Sequence, residues 1–536
     1  MQSTMMRVKL TLTHFLERAG TLFPDVEIVS RMPDKSLHRS NYREFHQRAR
    51  RLAEALQKAG IRKGDRVATL MWNHYAHFEA YFGVIASGAV LHTLNLRLAV
   101  DEIAYIADHA EDRIIIVDDI LLPLLEQFRA KTRIERVIVV PLTGKPVPEG
   151  YTSYEDFLAS ASGDWDYPEM EEDDPIAMCY TSGTTGRPKG VVYSHRSQVL
   201  HSLVQVMPDG IGISGRDVIL PVVPMFHANA WGVPYAAAMI GTKMVFPGPH
   251  LHPGDLLPLL ESEGVTLSCG VPTIWLGMIQ MLDRDPGRWK MHPKLRLTVG
   301  GSAVPESLIR GFAKHGIDVM QGWGMTETSP LATISRPLQT QTDLTEDESF
   351  ALKATQGYQL PLVDLRIVGD DGVQPWDGKA VGEIQVHGPW ITGSYHELPQ
   401  SESNFTPDGW LRTGDVAAVT PEGFVKITDR TKDLIKSGGE WISSVDLENA
   451  IMGHPAVAEA AVIAVPHPKW AERPLAVVVL KSGQSVDAAG LRTYLVDKFA
   501  KWAIPDAWEF VDAIPRTSTG KFLKTALRER YKDRQW

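Results

Sequence analysis

The sequence predicts an α/β protein with a large N-terminal unit and a small α+β unit at its C-terminus. Through most of the chain, apolar runs of strand length alternate with segments whose apolar residues recur at helical spacing. This alternation indicates mixed, largely parallel sheets sandwiched by helices, because parallel strands need crossover helices and are buried on both faces. Beyond about Asp429 the pattern changes to two long apolar runs and one helix-like segment, which suit a small unit of about a hundred residues.

The first well-defined helix begins after Asn41 and ends before Gly60. Asn41 followed by Glu44 resembles a capping box, in which side chain and backbone groups satisfy each other at a helix start. The following apolar residues are spaced for one helix face: Phe45, Ala49, Leu52 and Leu56.

The remaining elements follow from the same patterns. Strands are predicted at 65–72, 114–117, 137–140, 175–180, 190–195, 295–299, 317–320, 457–466 and 475–480, and helices at 74–88 and 491–500. The polar and acidic segment 338–355 is predicted to be a surface loop.

Composition limits the classes of function. The 536 residues carry a net charge of −10, which argues against nucleic acid as the main partner, because phosphate backbones are bound through clustered Lys and Arg. Only Cys179 and Cys269 are present, so no disulfide framework is expected and a reducing cytoplasm fits. Neither a cleavable leader nor an apolar run of membrane-spanning length is apparent. We therefore expect a soluble, cytoplasmic protein without a transmembrane segment.

The stretch YTSGTTGRPKGVVYSH (180–195) has the composition of a phosphate-binding loop. It is not a nucleotide-binding P-loop, because the residue five places after Gly183 is Pro188, and strand-like segments flank it on both sides. Glycines allow close approach of backbone N–H groups to phosphate oxygens, hydroxyls add donors, and Lys189 adds positive charge. A flexible linker is the alternative, but linkers rarely place Lys after Pro between two apolar strands.

Further blocks follow this loop in a fixed order: PMFHANAWG (224–232), VGGSAVPES (299–307), QGWGMTETSP (321–330), GWLRTGD (409–415), TDRTKDLIKSGGEW (428–441) and PRTSTGKFLK (515–524). With TSGTTGRPKG they resemble the motifs of the adenylate-forming enzymes, a superfamily of acyl-CoA synthetases, luciferases and peptide-synthetase adenylation domains. The resemblance extends from about residue 30 to the end of the chain, and the bacterial fatty-acyl-CoA synthetases are the most similar group.

The resemblance implies a role for each block. The residues it implies for ATP or AMP are Thr181, Ser182, Gly183, Thr184, Thr185, Lys189, Gly301, Ser302, Ala303, Gln321, Gly322, Trp323, Thr326, Asp415, Arg430, Lys432 and Trp441. It implies Thr181 and Glu327 for Mg²⁺, and Gly438 and Gly439 for coenzyme A. The carboxylic acid substrate is assigned to His227, Ala228, Trp231 and Gly301, and the catalytic roles to Lys521, His227 and Lys436. A buried core residue is the alternative for both His227 and Trp231.

The implied reaction has two steps on one site. A carboxylic acid and ATP give acyl-AMP and pyrophosphate, and coenzyme A then gives acyl-CoA and AMP. Two unit charges about 4 Å apart repel by roughly 4 kcal/mol at an effective dielectric constant near 20, so the first step needs cations. The resemblance further implies an N-terminal domain at 1–431 and a C-terminal domain at 432–536, with a hinge near Lys432 that exchanges Lys521 for the KSGGEW face.

Several alternatives stay open at this stage. The acid is expected to be a medium- or long-chain fatty acid, but a small acid of the methylthio- or aryl-propionate type also fits the resemblance. An acyl-AMP ligase that feeds another acceptor, a luciferase-like oxygenase and a degenerate nucleotide-binding regulator are the other readings. A homodimer is implied by analogy only.

Overall fold

The computed structural model describes residues 1–181, 187–341, 343–399, 403–437, 440–517 and 520–534. Six residues singled out from the sequence lie outside these ranges: Ser182, Gly183, Thr184, Thr185, Gly438 and Gly439.

The helices of the described ranges lie mostly between consecutive parallel strands. They are α1 (Thr13–Leu22), α2 (Tyr42–Lys58), α3 (Tyr75–Ala86), α4 (Val100–His109), α5 (Leu122–Phe128), α6 (Tyr154–Ala159), α7 (His195–Val206), the single turn α8 (Ala228–Trp231), α9 (Val233–Ile240), α10 (Pro253–Ser262), α11 (Pro272–Arg284), α12 (Glu306–Ala313), α13 (Glu346–Lys353), α14 (Ser444–Met452), α15 (Ala488–Leu495) and α16 (Lys524–Tyr531). Asn41 caps α2 as predicted, since its side chain accepts a hydrogen bond from the backbone N–H of Glu44.

The strands in the same ranges are β1 (Glu27–Arg31), β2 (Leu37–Asn41), β3 (Arg66–Leu70), β4 (Val90–Thr93), β5 (Asp112–Asp118), β6 (Arg136–Val140), β7 (Thr152–Ser153), β8 (Pro175–Tyr180), β9 (Gly190–Ser194), β10 (Val218–Pro221), β11 (Lys243–Phe246), β12 (Leu267–Gly270), β13 (Arg296–Val299), β14 (Asp318–Gly324), β15 (Leu331–Ile334), β16 (Tyr358–Gln359), β17 (Asp364–Gly369), β18 (Gly372–Val373), β19 (Gly382–His387), β20 (Leu411–Val419), β21 (Val425–Arg430), β22 (Ile435–Ser437), β23 (Glu440–Ile442), β24 (Val457–His467), β25 (Ala471–Leu480) and β26 (Ala507–Phe510).

Two large, mainly parallel sheets form the N-terminal part. One has the order β16-β15-β14-β13-β12-β10-β11-β1-β2 and the other β7-β6-β5-β3-β4-β8-β9. The central strands of both pair in parallel, and antiparallel strands occur only at their ends. One continuous core joins α2, α3 and α9 to strands of both sheets, so these helices lie between them. The predicted sandwich of parallel sheets and helices is confirmed.

Two smaller sheets complete the fold. Strands β17 to β21 form an antiparallel sheet in the order β18-β17-β19-β20-β21. After Arg430 the chain forms a separate sheet, β23-β22-β25-β24, with β26 paired in parallel to β25. Its strands enclose two cores of their own with α14, α15 and α16. Within the described ranges, no helix combines the length and apolar character needed to cross a membrane.

The prediction of a surface loop at 338–355 is partly wrong, because α13 lies within it. Thr345 caps this helix: its side chain accepts from the N–H of Glu348, whose carboxylate accepts from the N–H of Thr345. The spacing of Thr345 and Glu348 is the capping-box signature, which a polar composition obscured.

Candidate active site

A cavity of about 680 Å³ opens at one edge of the nine-stranded sheet. Strands β10, β12, β13 and β14 are parallel, so their carboxyl ends meet at this edge. The segments that follow these strands supply His227, Thr273, Gly301 and Thr326 to the cavity wall. The topology therefore places four sequence-distant segments around one space, and its size suits a small-molecule ligand.

The turn α8 has a backbone that L-residues rarely adopt. Ala228, Asn229, Ala230 and Trp231 have φ angles of 43°, 50°, 49° and 58°, and Gly232 continues with 74°. Each non-glycine residue in this left-handed region costs roughly 1–2 kcal/mol, so the turn requires support from its surroundings. Asn229 supplies part of it: its buried amide donates to the Tyr235 hydroxyl at 2.9 Å and accepts from the Cys179 thiol at 2.9 Å. The turn places Ala228 and Trp231 in the cavity wall next to His227.

His227 carries no charge at neutral pH. Burial, reinforced by the positive charge of Lys521, lowers the pKa of His227 to about 3. A neutral imidazole beside an ammonium group can donate or accept a hydrogen bond without adding a second positive charge.

Glu327 is a buried carboxylate in the same wall, 6% exposed. The Tyr395 hydroxyl donates to its Oε1 at 2.8 Å, and the backbone around it is fixed by the Tyr193 hydroxyl, which donates to the Thr326 carbonyl at 2.7 Å. Burial raises the pKa of Glu327. A cation placed beside it would reverse that effect by favouring the ionised form.

The chemistry of Glu327 fits Mg²⁺. In the described part of the chain, no three or more histidine, cysteine, aspartate or glutamate side chains cluster as a metal site. Mg²⁺ does not need such a cage, since it is usually held by one or two carboxylates together with substrate phosphates and water. Thr181, the other predicted ligand, also lines the cavity.

Lys189 faces the cavity close to Glu327. Its Nζ donates to Asn404 Oδ1 at 2.9 Å and lies 4.6 Å from the centre of the Tyr395 ring. Thr181 and Lys189 are also joined directly, because the Thr181 N–H donates to the Lys189 carbonyl at 2.9 Å and the Lys189 N–H donates to Thr181 Oγ1 at 3.1 Å. The two ends of the predicted phosphate loop are thereby held together beside the carboxylate.

Asp415 and Arg430 are adjacent on paired strands, not in a turn. They are directly opposite in the β20–β21 ladder, and Arg430 Nε lies 3.3 Å from Asp415 Oδ1. The indole N–H of Trp323 donates to Asp415 Oδ2 at 2.9 Å. The carboxylate is therefore fixed from two sides, with all three side chains lining the cavity.

Lys521 enters the cavity from the C-terminal part of the chain. Its Cε lies 3.6 Å from the position that a Cβ on Gly301 would take, and neighbouring Gly520 lies against Thr273. Enclosure by protein, together with the charge of Arg430, lowers the pKa of Lys521 to about 8. The structure thus brings Lys521, His227, Lys189 and Glu327 into one cavity.

Comparison with known protein families agrees with this arrangement. The AMP-binding enzyme family matches residues 16–396, and the C-terminal domain of the AMP-binding enzymes matches residues 446–521. The chain belongs to the AMP-binding enzyme family. The predicted superfamily and its enzyme class, the AMP-forming acid–CoA ligases, are therefore confirmed.

Relatives within the AMP-binding enzyme family span the whole chain. A long-chain-fatty-acid–CoA ligase of Thermus thermophilus is 52% identical over 534 residues, covering 99% of this chain and 97% of the relative. A 3-methylmercaptopropionyl-CoA ligase of Ruegeria pomeroyi is 44% identical, covering 99% of each chain. The crystal structure of ATP-bound MatB from Rhodopseudomonas palustris superimposes with a TM-score of 0.83 at 28% identity, covering 98% of this chain and 99% of that one.

Two predicted residues lie apart from the cavity of this AMP-binding enzyme. Lys436 and Trp441 are exposed on the β22–β23 hairpin, where Lys436 Nζ lies 5.3 Å from the centre of the Trp441 ring. The other described site residues all contribute to the cavity wall: Thr181, Lys189, His227, Ala228, Trp231, Gly301, Ser302, Ala303, Gln321, Gly322, Trp323, Thr326, Glu327, Asp415, Arg430, Lys432 and Lys521.

Sequence reasoning missed several cavity residues. Tyr395 contacts both Glu327 and Lys189, and Asn404 accepts from Lys189, yet both lie in polar loop sequence without a recognisable pattern. Lys524 was also missed, although it follows Lys521 by three residues; its Nζ lies 2.7 Å from Glu448 and 2.6 Å from the Ser444 hydroxyl. Only the spacing from Lys521 could have indicated it.

The pKa of Lys521 predicts a pH dependence for acyl-AMP formation. The Lys521 side chain is a charged ammonium group at pH values below its pKa of about 8 and a neutral amine above it. We expect kcat/KM for acyl-AMP formation, which reports the free enzyme, to fall as pH rises through about 8. Pyrophosphate release measured from pH 6 to 10 checks this, and a rate that keeps rising across that range would contradict it.

Proposed function

We propose that this AMP-forming acid–CoA ligase activates medium- or long-chain fatty acids. The observation that carries the two-step chemistry is the convergence of Lys521, Lys189 and Glu327 on one cavity with the Asp415–Arg430 pair. ATP and coenzyme A are the other substrates of this enzyme class, which also uses Mg²⁺.

The first step brings two anions together. The substrate carboxylate attacks the α-phosphate of ATP, and pyrophosphate leaves. In our proposal Lys521 contacts both the carboxylate and the α-phosphate, while Lys189 contacts the leaving phosphates. Fixed cations in a partly enclosed site stabilise the developing charge without having to reorganise. Glu327 and Thr181 are the residues that would hold Mg²⁺, which would supply further positive charge there.

The neighbouring residues position the nucleotide and the acid. Asp415 is already oriented by Trp323 and Arg430, so its carboxylate is suited to accept hydrogen bonds from the ribose hydroxyls. His227 is neutral and faces the same space as Lys521, so it is suited to orient the substrate carboxylate.

The second step needs access for the coenzyme A thiol to the acyl carbonyl, which Lys521 obstructs when it occupies the cavity. We propose that residues 432–536 rotate about Lys432 relative to residues 1–431, withdrawing Lys521 and presenting Lys436 and Trp441. With Lys521 in the cavity, both of these side chains are exposed away from it, so we assign their role to the thioester-forming orientation and not to the adenylate-forming one. The contribution of Gly438 and Gly439 to coenzyme A binding belongs to the same proposal.

The fatty acid assignment is supported by two observations. The relative from Thermus thermophilus acts on long-chain fatty acids and shares 52% identity across nearly the whole chain. In addition, the cavity wall contains apolar residues, among them Trp231, Ile211 and Leu331. A small sulfur-containing acid is the second candidate, because the relative from Ruegeria pomeroyi is named for one.

A screen of carboxylic acids distinguishes these candidates. Pyrophosphate release is measured with unbranched acids from C2 to C18, 3-methylthiopropionate and aryl acids, each with and without coenzyme A. We expect the highest kcat/KM for a saturated acid of medium or long chain, and acyl-CoA as the final product. A preference for 3-methylthiopropionate contradicts the substrate assignment, and activity only with another acceptor contradicts the coenzyme A step.

We also propose that the protein is cytoplasmic and forms a homodimer. Both cysteines are buried thiols, which is compatible with a reducing compartment. Fractionation of the source cells and light scattering of the purified protein test the two statements separately.

A further inference from the structure

A buried glutamine lies directly behind the left-handed turn. Gln205, in the last turn of α7, has no exposed surface, and its Nε2 donates to the Trp231 carbonyl at 2.6 Å. Its other polar atom, Oε1, accepts no hydrogen bond from any residue that the structure describes. The side-chain amide of Gln205 therefore makes one hydrogen bond to the described residues, and its acceptor is the backbone carbonyl of Trp231 in the cavity wall.

That bond holds the end of a strained segment. Trp231 is the last of the four consecutive left-handed residues of α8, and its carbonyl is followed by Gly232. Asn229 anchors the middle of the turn through Cys179 and Tyr235, so Gln205 provides a separate anchor at its end. Without an anchor, L-residues favour right-handed or extended backbone.

The ring of Trp231 depends on this backbone. Its Cη2 atom lies 3.4 Å from the position that a Cβ on Gly300 would take, so the indole packs against a cavity wall that carries no side chain. Gln205, Trp231 and Gly300 all line the cavity. A change in the turn would therefore change the width of the space next to the Trp231 ring.

We propose that Gln205 is a specificity-determining positioning residue: by holding the Trp231 carbonyl it keeps the strained turn closed against Gly300 and so restricts the acyl chain. The inference rests on the proposed function, because it assigns the space beside Trp231 to the acyl group. Release of the anchor lets the turn relax and widens that space, which favours long chains over short ones.

The first test replaces the donor by an apolar group of similar shape. In Gln205→Met we expect the ratio of kcat/KM for dodecanoate to that for butyrate to rise about tenfold, in keeping with the loss of one buried hydrogen bond. Ser202→Ala is the matched control, since Ser202 is equally buried on the same helix and its hydroxyl accepts from Gln198 of that helix. It should leave the ratio unchanged.

A second variant separates positioning from packing. A carboxyl group at this buried position has a raised pKa, and only its protonated form can donate to the Trp231 carbonyl. In Gln205→Glu we therefore expect a wild-type ratio at low pH and a ratio like that of Gln205→Met at high pH. The other titratable groups near the turn do not produce this pH dependence. Burial lowers the pKa values of His201 and His227 to about 3, and Arg336, bound to the Gly210 and Ile211 carbonyls, stays charged. Lys521, with a pKa of about 8, acts on the carboxylate that both acids share, so its titration cancels in the ratio.

The outcomes are distinct. An unchanged ratio in Gln205→Met, or an equal loss for both acids, overturns the role of Gln205. A pH-independent ratio in Gln205→Glu also overturns it. If the wild-type enzyme releases no pyrophosphate with any acid, the proposed function fails instead.

Discussion

Replacement of Lys521 by alanine is expected to lower the rate of acyl-AMP formation by at least about a hundredfold, the range measured when a preorganised charge-stabilising group is removed. The same variant should form acyl-CoA from supplied acyl-AMP and coenzyme A at close to the wild-type rate. The reason is that Lys521 lies in the cavity beside Gly301 and His227, where it offsets phosphate charge, whereas the second step requires its withdrawal.

The two half-reactions are measured separately, as pyrophosphate release and as thioester formation. Lys532→Ala serves as the control, because Lys532 is an exposed lysine of the same C-terminal unit that pairs with Glu529. Equal loss of both half-reactions in Lys521→Ala would contradict the proposed alternation of the C-terminal unit.

Replacement of Glu327 by glutamine is expected to raise the Mg²⁺ concentration needed for half-maximal acyl-AMP formation by at least about tenfold, as losses of metal-supporting groups do. Glutamine keeps the shape of the side chain and can still accept from the Tyr395 hydroxyl, so the change removes mainly the negative charge. Calorimetric binding of ATP at several Mg²⁺ concentrations should show the same shift without turnover.

Glu306→Gln is a suitable comparison, since Glu306 pairs with Arg310 on a surface helix. A Glu327→Gln enzyme whose Mg²⁺ titration matches that of the wild type would exclude Glu327 as a metal ligand.

Helices and strands were predictable from the sequence because their buried faces require apolar residues at regular spacings or in short runs. Strands β5 and β6 contain the unbroken apolar runs 114–117 and 137–140, and α2 has both its cap at Asn41 and its apolar face. The helix α13 was missed because its first turn is acidic and the segment around it is polar, although Thr345 and Glu348 form the capping-box pattern.

The left-handed turn could not be predicted from the letters HANAW. Left-handed backbone is signalled by glycine or asparagine, and here Ala228, Ala230 and Trp231 adopt it as well. Only tertiary contacts, from Gln205 and around Asn229, account for that conformation. The hydrogen bond between Tyr395 and Glu327 also depends on the tertiary fold. The two residues are 68 positions apart, and nothing in the sequence around either of them indicates this contact.

The low pKa of Lys521 has a consequence for the order of events. Without ATP, burial and the positive charge of Arg430 disfavour the charged form of Lys521 at this position. The phosphates of ATP favour the charged form instead. Nucleotide binding and entry of Lys521 into the cavity therefore stabilise each other. Departure of pyrophosphate removes most of the compensating charge. If the C-terminal unit rotates as proposed, release of pyrophosphate would itself start the second half-reaction. The order of the two half-reactions would then be set by the amount of negative charge in the cavity.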